Sequence, residues 1–225
     1  MNKYLIAIVM MALGAAGYSQ KSEAAACASA QYSTYLAAGF SCDIGDKTFS
    51  NFTEGFSGFP ARPDFSVAPV LGPPLWGFNF SGIGLAAGPG VVMDITIGYT
   101  VTCIAVGACI TSNHLDFNGI SSGTGLASVT DNICLGSSVP GCASPLQLVA
   151  RALNNGGPLA ANSTNAAVHM ENVSKDMSAA GGNGSATISV VNNTVDQSVP
   201  EPATLALLGA SLFSMAAIRR RKTRT

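Results

Sequence analysis

From Val91 to Thr102 the chain alternates with a period of two. Val91, Met93, Ile95, Ile97, Tyr99 and Val101 are apolar. Val92 apart, the alternate positions Asp94, Thr96, Gly98, Thr100 and Thr102 are polar or small. Successive side chains of a β-strand point to opposite faces, so such a segment buries one face by joining a sheet. The pattern predicts a half-buried antiparallel strand. Leu75–Gly82 repeats it, with Trp76, Phe78 and Phe80 on one face. Phe65–Val70, His114–Ile120, Gly125–Cys134 and Thr187–Val195 are further expected strands. Gly72-Pro73-Pro74, Gly88-Pro89-Gly90, Gly119–Gly125 and Gly136–Gly141 separate them as turn clusters. Short strands at this spacing predict an all-β fold, an antiparallel β-sandwich of jelly-roll or immunoglobulin-like type. Ala28–Ala38 has the composition of a short helix, and Leu146–Leu153 fits either a strand or a helical turn. Asn154–Asn165 and Ala179–Ser185 are small and polar and read as loops.

The two ends differ from this body. Lys3 opens a positive region, Leu5–Gly17 is apolar, and Ala24-Ala25-Ala26 supplies a small-residue cleavage site. This is the pattern of a secretory signal peptide over 1–26. At the other end Pro200 and Pro202 flank Glu201; without backbone N–H donors they hold their neighbours extended. An uncharged Leu/Ala-rich run of 16 residues, 203–218, follows, and then Arg219, Arg220, Arg221, Lys222 and Arg224. As a helix the run spans ~24 Å, short of the ~30 Å hydrocarbon core. Snorkelling by Arg219 and local thinning close the gap, and the basic cluster orients the helix with its tail cytoplasmic. A short membrane helix behind an extended, grippable peptide reads as a temporary anchor.

Without its ends the chain is one domain-sized segment, 27–198. Lys47, Arg62, Arg151 and Lys175 are its only basic residues against ten acidic ones, and four minus ten gives −6. That balance excludes nucleic acid and anionic lipid as partners of the body, so membrane contact is expected only through the terminal segments. All six cysteines lie in the body: Cys27, Cys42, Cys103, Cys109, Cys134 and Cys142. An even number in an exported chain reads as disulfides. Fifteen pairings exist; the cysteines fall into local couples, and 27–42, 103–109 and 134–142 is the expected set. His114 and His169 are isolated and no Cys-x₂-Cys occurs, so no metal site and no cofactor are expected.

Pro200-Glu201-Pro202, the short apolar run and the Arg cluster together resemble the PEP-CTERM sorting signal of Gram-negative bacteria. The resemblance covers 199–225. It implies processing by an exosortase, a membrane cysteine protease-transpeptidase, with cleavage near the motif. It also implies the company of exopolysaccharide, biofilm and extracellular matrix. Within the body, Cys42-Asp43-Ile44-Gly45-Asp46-Lys47-Thr48-Phe49-Ser50-Asn51-Phe52 is similar to a "GC-x-IGDK-x-FS-x-F" block near the start of many PEP-CTERM proteins, with Ser41 where many have Gly. Gly125–Cys134 and Val173–Asp176 are similar to segments of the same group. No biochemical activity transfers with these blocks.

Catalytic constellations in the body are weak. Gly119-Ile120-Ser121-Ser122-Gly123 has the form of a nucleophile elbow, but no helix pattern follows it, and a loop is the better reading. His114 and Asp116 lie on one face of an expected strand, where one is able to hydrogen-bond the other. Asp43 and Asp46 flank Gly45 as a tight turn rather than a calcium loop. Trp76, Phe78 and Phe80 read as sandwich core before a sugar-stacking platform. The expectation is a non-enzymatic exported surface or matrix protein. A carbohydrate-binding module for exopolysaccharide and a secreted hydrolase are the alternatives.

Overall fold

The computed structural model describes residues 24–153 and 156–197. The expected signal peptide up to residue 23, the Pro-Glu-Pro motif, the sorting helix and the basic tail lie outside the described residues. Among those described, no helix is long and apolar enough to cross a membrane.

The chain is almost entirely β. In order it forms β1 (Ala25–Ala26), β2 (Ala30–Gln31), α1 (Tyr32–Tyr35), β3 (Ser41–Ile44), β4 (Lys47–Ser57), β5 (Ser66–Val70), β6 (Leu75–Ala87), β7 (Val92–Cys103), β8 (Ile110–Ser122), β9 (Leu126–Leu135), β10 (Leu146–Leu153), β11 (Ala160–Val168), β12 (Met170–Ala180) and β13 (Ser185–Gln197). One sheet has the order β1-β3-β4-β7-β12-β9-β10, and the other β11-β8-β13-β6-β5-β2. Every pairing is antiparallel except β1 with β3, where Ala25 and Ala26 lie opposite Cys42 and Asp43.

The last eight strands pair in a nested way. β6 lies beside β13, β7 beside β12, β8 beside β11 and β9 beside β10. Consecutive strands from β6 to β9 therefore alternate between the sheets. β13 also pairs with β8, and β12 with β9, which closes each group of four. The remaining strands extend one edge of each group.

All six expected strands are present: Leu75–Gly82, His114–Ile120 and Thr187–Val195 run longer than expected, and the other three agree to within one residue at each end. Leu146–Leu153 is a strand, β10. Four expectations need correction. The expected turn and loop at Gly119–Gly125 is a turn only from Gly123, because β8 runs on through Ser122. Ala28–Ala38 holds only the four-residue α1, preceded by β2. Tyr32 and Tyr35, three apart on one face of α1, drop into the core, and the segment on either side of this single turn is not helical. Asn154–Asn165, expected as a loop, contains the start of β11, an edge strand whose small polar residues need satisfy only β8. Ala179–Ser185 is a loop only at 181–184, its ends belonging to β12 and β13. β4 and β12 were not anticipated as strands.

Both sheets contribute to one buried cluster. Phe78 of β6 is its aromatic centre, with Phe49 at 4.8 Å, Tyr35 at 5.6 Å, Phe52 at 5.9 Å, and Phe80 and Tyr99 at 6.0 Å between ring centroids. Most of these pairs are edge-to-face or tilted, as the ring quadrupoles favour. Disulfides join Cys27 to Cys42, Cys103 to Cys109 and Cys134 to Cys142, the local couples read from the sequence. They tie the residue after β1 to β3, bridge the β7–β8 connection and close the loop after β9.

Candidate functional site

The most unusual chemistry lies between the sheets. Lys47, Asn113, Asp131, Glu171, Lys175 and Asn193 are all buried, with no more than 1% of any of them exposed. Each occupies an inward position of its strand. Asp131 is in phase with Ala127, Val129 and Ile133 on β9; Glu171 and Lys175 are in phase with Val173, Met177 and Ala179 on β12. Such groups persist in a core only when paired.

Hydrogen bonds join five of them into two groups, and Lys47 pairs separately. Lys175 and Asp131 are register partners across β12 and β9. Lys175 Nζ donates to Asp131 Oδ1, and neither side chain is exposed. Asp131 Oδ2 accepts from Asn193 Nδ2 at 2.7 Å. The same Nδ2 donates to the carbonyl of His114 at 3.1 Å, and Asn193 Oδ1 accepts from the Tyr99 hydroxyl. The first sheet thus supplies Tyr99, Asp131 and Lys175, and the second supplies Asn193. In the other group Asn113 Nδ2 donates to Glu171 Oε2 at 3.2 Å, while Glu171 Oε1 and Asn113 Oδ1 have no hydrogen-bond partner. Lys47 Nζ donates to Asp46 Oδ1 at 2.8 Å.

Burial dominates the protonation of these groups. It raises the Asp131 carboxyl, against the opposing charge and hydrogen bond of Lys175. It lowers the Lys175 ammonium, against the charge of Asp131. Burial also lifts Glu171 to about 7; the charge of Asp131 adds to this, while the Asn113 hydrogen bond and Lys47 oppose it. The Tyr99 hydroxyl is raised well above its ordinary range, by burial first and then by the carboxylates of Asp131 and Glu171. Desolvation penalises every charged form, so burial narrows the gap between the Lys175–Asp131 ion pair and its neutral amine–acid form.

A second polar feature covers the outer face of the β11-β8-β13-β6 sheet. Asn79 Nδ2 donates to Asn192 Oδ1 at 2.6 Å, and Asn192 Nδ2 donates to Asp116 Oδ1 at 2.7 Å, a row crossing three strands. Beside it His114 Nδ1 meets Asn162 Oδ1 at 2.9 Å, and His114 Nε2 lies 3.1 Å from both Ser112 Oγ and Asp196 Oδ2. His114 and Asp116 share the face as expected, but they do not bond each other: His114 meets Asn162 of β11, Asp196 of β13 and Ser112 of its own strand, and Asp116 meets Asn192 of β13.

Other sequence candidates serve structure. Ser121 and Ser122 end β8, a turn at Gly123 and Thr124 leads directly into β9, and Ser121 Oγ donates to the Ala152 carbonyl at 3.0 Å. Asp43 and Asp46 flank the β3–β4 turn at Gly45, whose φ is 61°. Asp43 Oδ1 accepts from Thr48 Oγ1 at 2.7 Å. The Trp76 ring packs so closely on Gly45 that an added Cβ would lie 2.7 Å from it. Phe78 and Phe80 are fully buried, so the aromatic stripe is core, with Trp76 half-buried at its end. Sequence reasoning missed the buried cluster altogether. Its one visible signal is a charge standing at an inward position of a period-two strand, as Asp131 does between Val129 and Ile133.

Similarity to known proteins is narrow. No curated protein matches the chain. Among solved structures, the Glycosylation Associate Protein (Gap123) complex from Streptococcus agalactiae aligns at 10% identity and a TM-score of 0.30, over 64% of this chain and 26% of that one. The enzymatically active domain of bacteriophage CBA120 tailspike protein 4 aligns at 14% identity and a TM-score of 0.28, over 65% of this chain and 19% of that one. The chain therefore spans about a quarter or less of the length of these proteins. Residues 198–222 match the PEP-CTERM protein-sorting motif, which begins directly after β13 and supports an exported, transiently anchored chain processed by an exosortase.

Proposed function

We propose that this chain is a non-enzymatic surface or extracellular-matrix protein of a Gram-negative bacterium, released from a transient inner-membrane anchor by exosortase cleavage and working in exopolysaccharide-rich biofilm. The sorting motif at 198–222 carries the reading. The body suits it. Local disulfides, long antiparallel strands and a low content of charge resist an unbuffered exterior. The nested pairing of β6 to β13 supports a jelly-roll sandwich over an immunoglobulin-like one, because first pairs with last and second with seventh. Ser121, Asp43 and His114 are each engaged in structural hydrogen bonds, which favours a binding or scaffolding role over a hydrolase.

The test is Glu201→Ala in an exosortase-bearing host. The Pro-Glu-Pro motif loses its only charge while the apolar run and the basic cluster stay intact. Uncleaved protein should accumulate in the membrane fraction. Normal maturation of the variant would defeat the reading.

One observation favours a second reading, a carbohydrate-binding module. The Asn79–Asn192–Asp116 row presents amides and a carboxylate on a sheet face, groups that hydrogen-bond sugar hydroxyls. Glycan-array binding by the mature chain that is lost in Asp116→Ala would support it, and absence of binding to any acidic or neutral exopolysaccharide would remove it.

A further inference from the structure

We propose that Lys175 and Asp131 condense into an intramolecular amide cross-link between Lys175 Nζ and Asp131 Cγ, tying β12 to β9 inside the body. The pair is already assembled for it. The two residues are register partners on neighbouring strands, both side chains are fully buried, and Nζ sits in direct hydrogen-bond contact with Oδ1. An amine held there stays beside the carboxyl group and out of bulk water. Fixed placement of this kind replaces the entropy of a bimolecular encounter.

The surroundings favour the reactive protonation state. Burial raises the Asp131 carboxyl and lowers the Lys175 ammonium, so the neutral acid and free amine gain on the ion pair. An amine lone pair is the nucleophile, and a protonated carboxyl is the better electrophile. The third group is Asn193. Its Nδ2 donates to Asp131 Oδ2 at 2.7 Å, its other Nδ2 proton goes to the His114 carbonyl at 3.1 Å, and its Oδ1 accepts from Tyr99. With both ends engaged, the amide cannot turn away. Its N–H is therefore aimed at the oxygen that becomes negative when the carboxyl carbon turns tetrahedral.

The step balances without a co-reactant. The ion pair begins with three protons on Nζ and none on the carboxylate. One proton moves along the hydrogen bond from Nζ to Oδ1. The Nζ lone pair then forms the Nζ–Cγ bond, and charge collects on Oδ2 against Asn193. A second Nζ proton passes to Oδ1, the Cγ–Oδ1 bond breaks, and one water leaves. The carbonyl re-forms at Oδ2 and one proton stays on the amide nitrogen. Nothing is oxidised or reduced. The product removes two buried charges and replaces a breakable pair by a covalent tie between central strands, a gain for a protein exposed to shear and proteases.

The experiment uses the full chain exported from its host, denatured and fully reduced. The expected intact mass is one water lighter than the processed sequence. Trypsin should leave a branched peptide that joins the segments containing Asp131 and Lys175, with no cleavage after Lys175. Lys175→Arg should restore the full mass. Asn193→Ala should form the link about a hundredfold more slowly in a pulse–chase, the usual loss on removing one oxyanion donor. A wild-type chain at full mass, with Lys175 open to an amine reagent after denaturation, overturns the proposal. Cross-linking of Asn193→Ala at the wild-type rate overturns the role given to Asn193.

Discussion

Replacing Glu171 by Gln should remove a specific pH dependence of stability. Glu171 is fully buried on β12, one of its oxygens has no partner, and its carboxyl is raised from 4.5 to about 7. Burial is the main cause. The unfolded chain releases this proton near its ordinary value, whereas the folded chain holds it until about 7. Between those values the unfolded state binds fewer protons, so stability falls as pH rises. The contribution is fully present below about 4.5 and lost by the time pH has passed about 7. A gap of about 2.5 pH units corresponds to about 3 kcal/mol. With a urea slope of ~2 kcal/mol per molar, the unfolding midpoint of the wild type should drop by about 1–2 M from acid to mildly alkaline pH. Glu171→Gln keeps the shape and the Asn113 hydrogen bond but carries no proton to lose. Its midpoint should fall much less and exceed the wild type's at pH above about 8. Asp176, raised to about 6 and partly exposed, contributes a decline of the same sign, but it is present in both proteins and cancels in the difference. Urea titrations of the two proteins across this range decide the matter. Parallel pH profiles would refute the assignment of a buried, protonated Glu171.

Two further outcomes test the packing. Phe78→Ala empties the centre of the aromatic cluster and should cost about 3–5 kcal/mol in thermal or urea unfolding; a loss below about 1 kcal/mol would show that the rings do not meet there. Alkylation of the unreduced protein should leave all six cysteines unmodified by mass spectrometry, and joint labelling of Cys27 and Cys42 would remove their bridge.

Strand identity was legible wherever a strand buries plain hydrocarbon. Val91–Thr102 alternates because β7 sits with Ile95, Ile97, Tyr99 and Val101 in the core, and the observed strand, Val92–Cys103, differs by one residue at each end. The disulfide couples were legible because each joins cysteines no more than 15 residues apart. The sorting signal was legible because its parts stand in order along the sequence: a Pro-Glu-Pro motif, a short apolar run and a charge cluster.

β12 was hidden for the opposite reason. Its inward residues are Glu171, Val173, Lys175, Met177 and Ala179, and two charges in that series erase the apolar alternation on which a strand assignment rests. Nothing local to β12 says that Glu171 and Lys175 face inward. That is decided by Asn113 and Asp131, which stand 58 and 44 positions away from their partners Glu171 and Lys175, on strands that the nested topology brings beside or opposite β12. A chain read alone determines which segments are able to bury a face and which end carries an address. Whether a charge enters the core depends on the partner that desolvates with it, and that partner is chosen by the register and stacking of strands far apart in sequence.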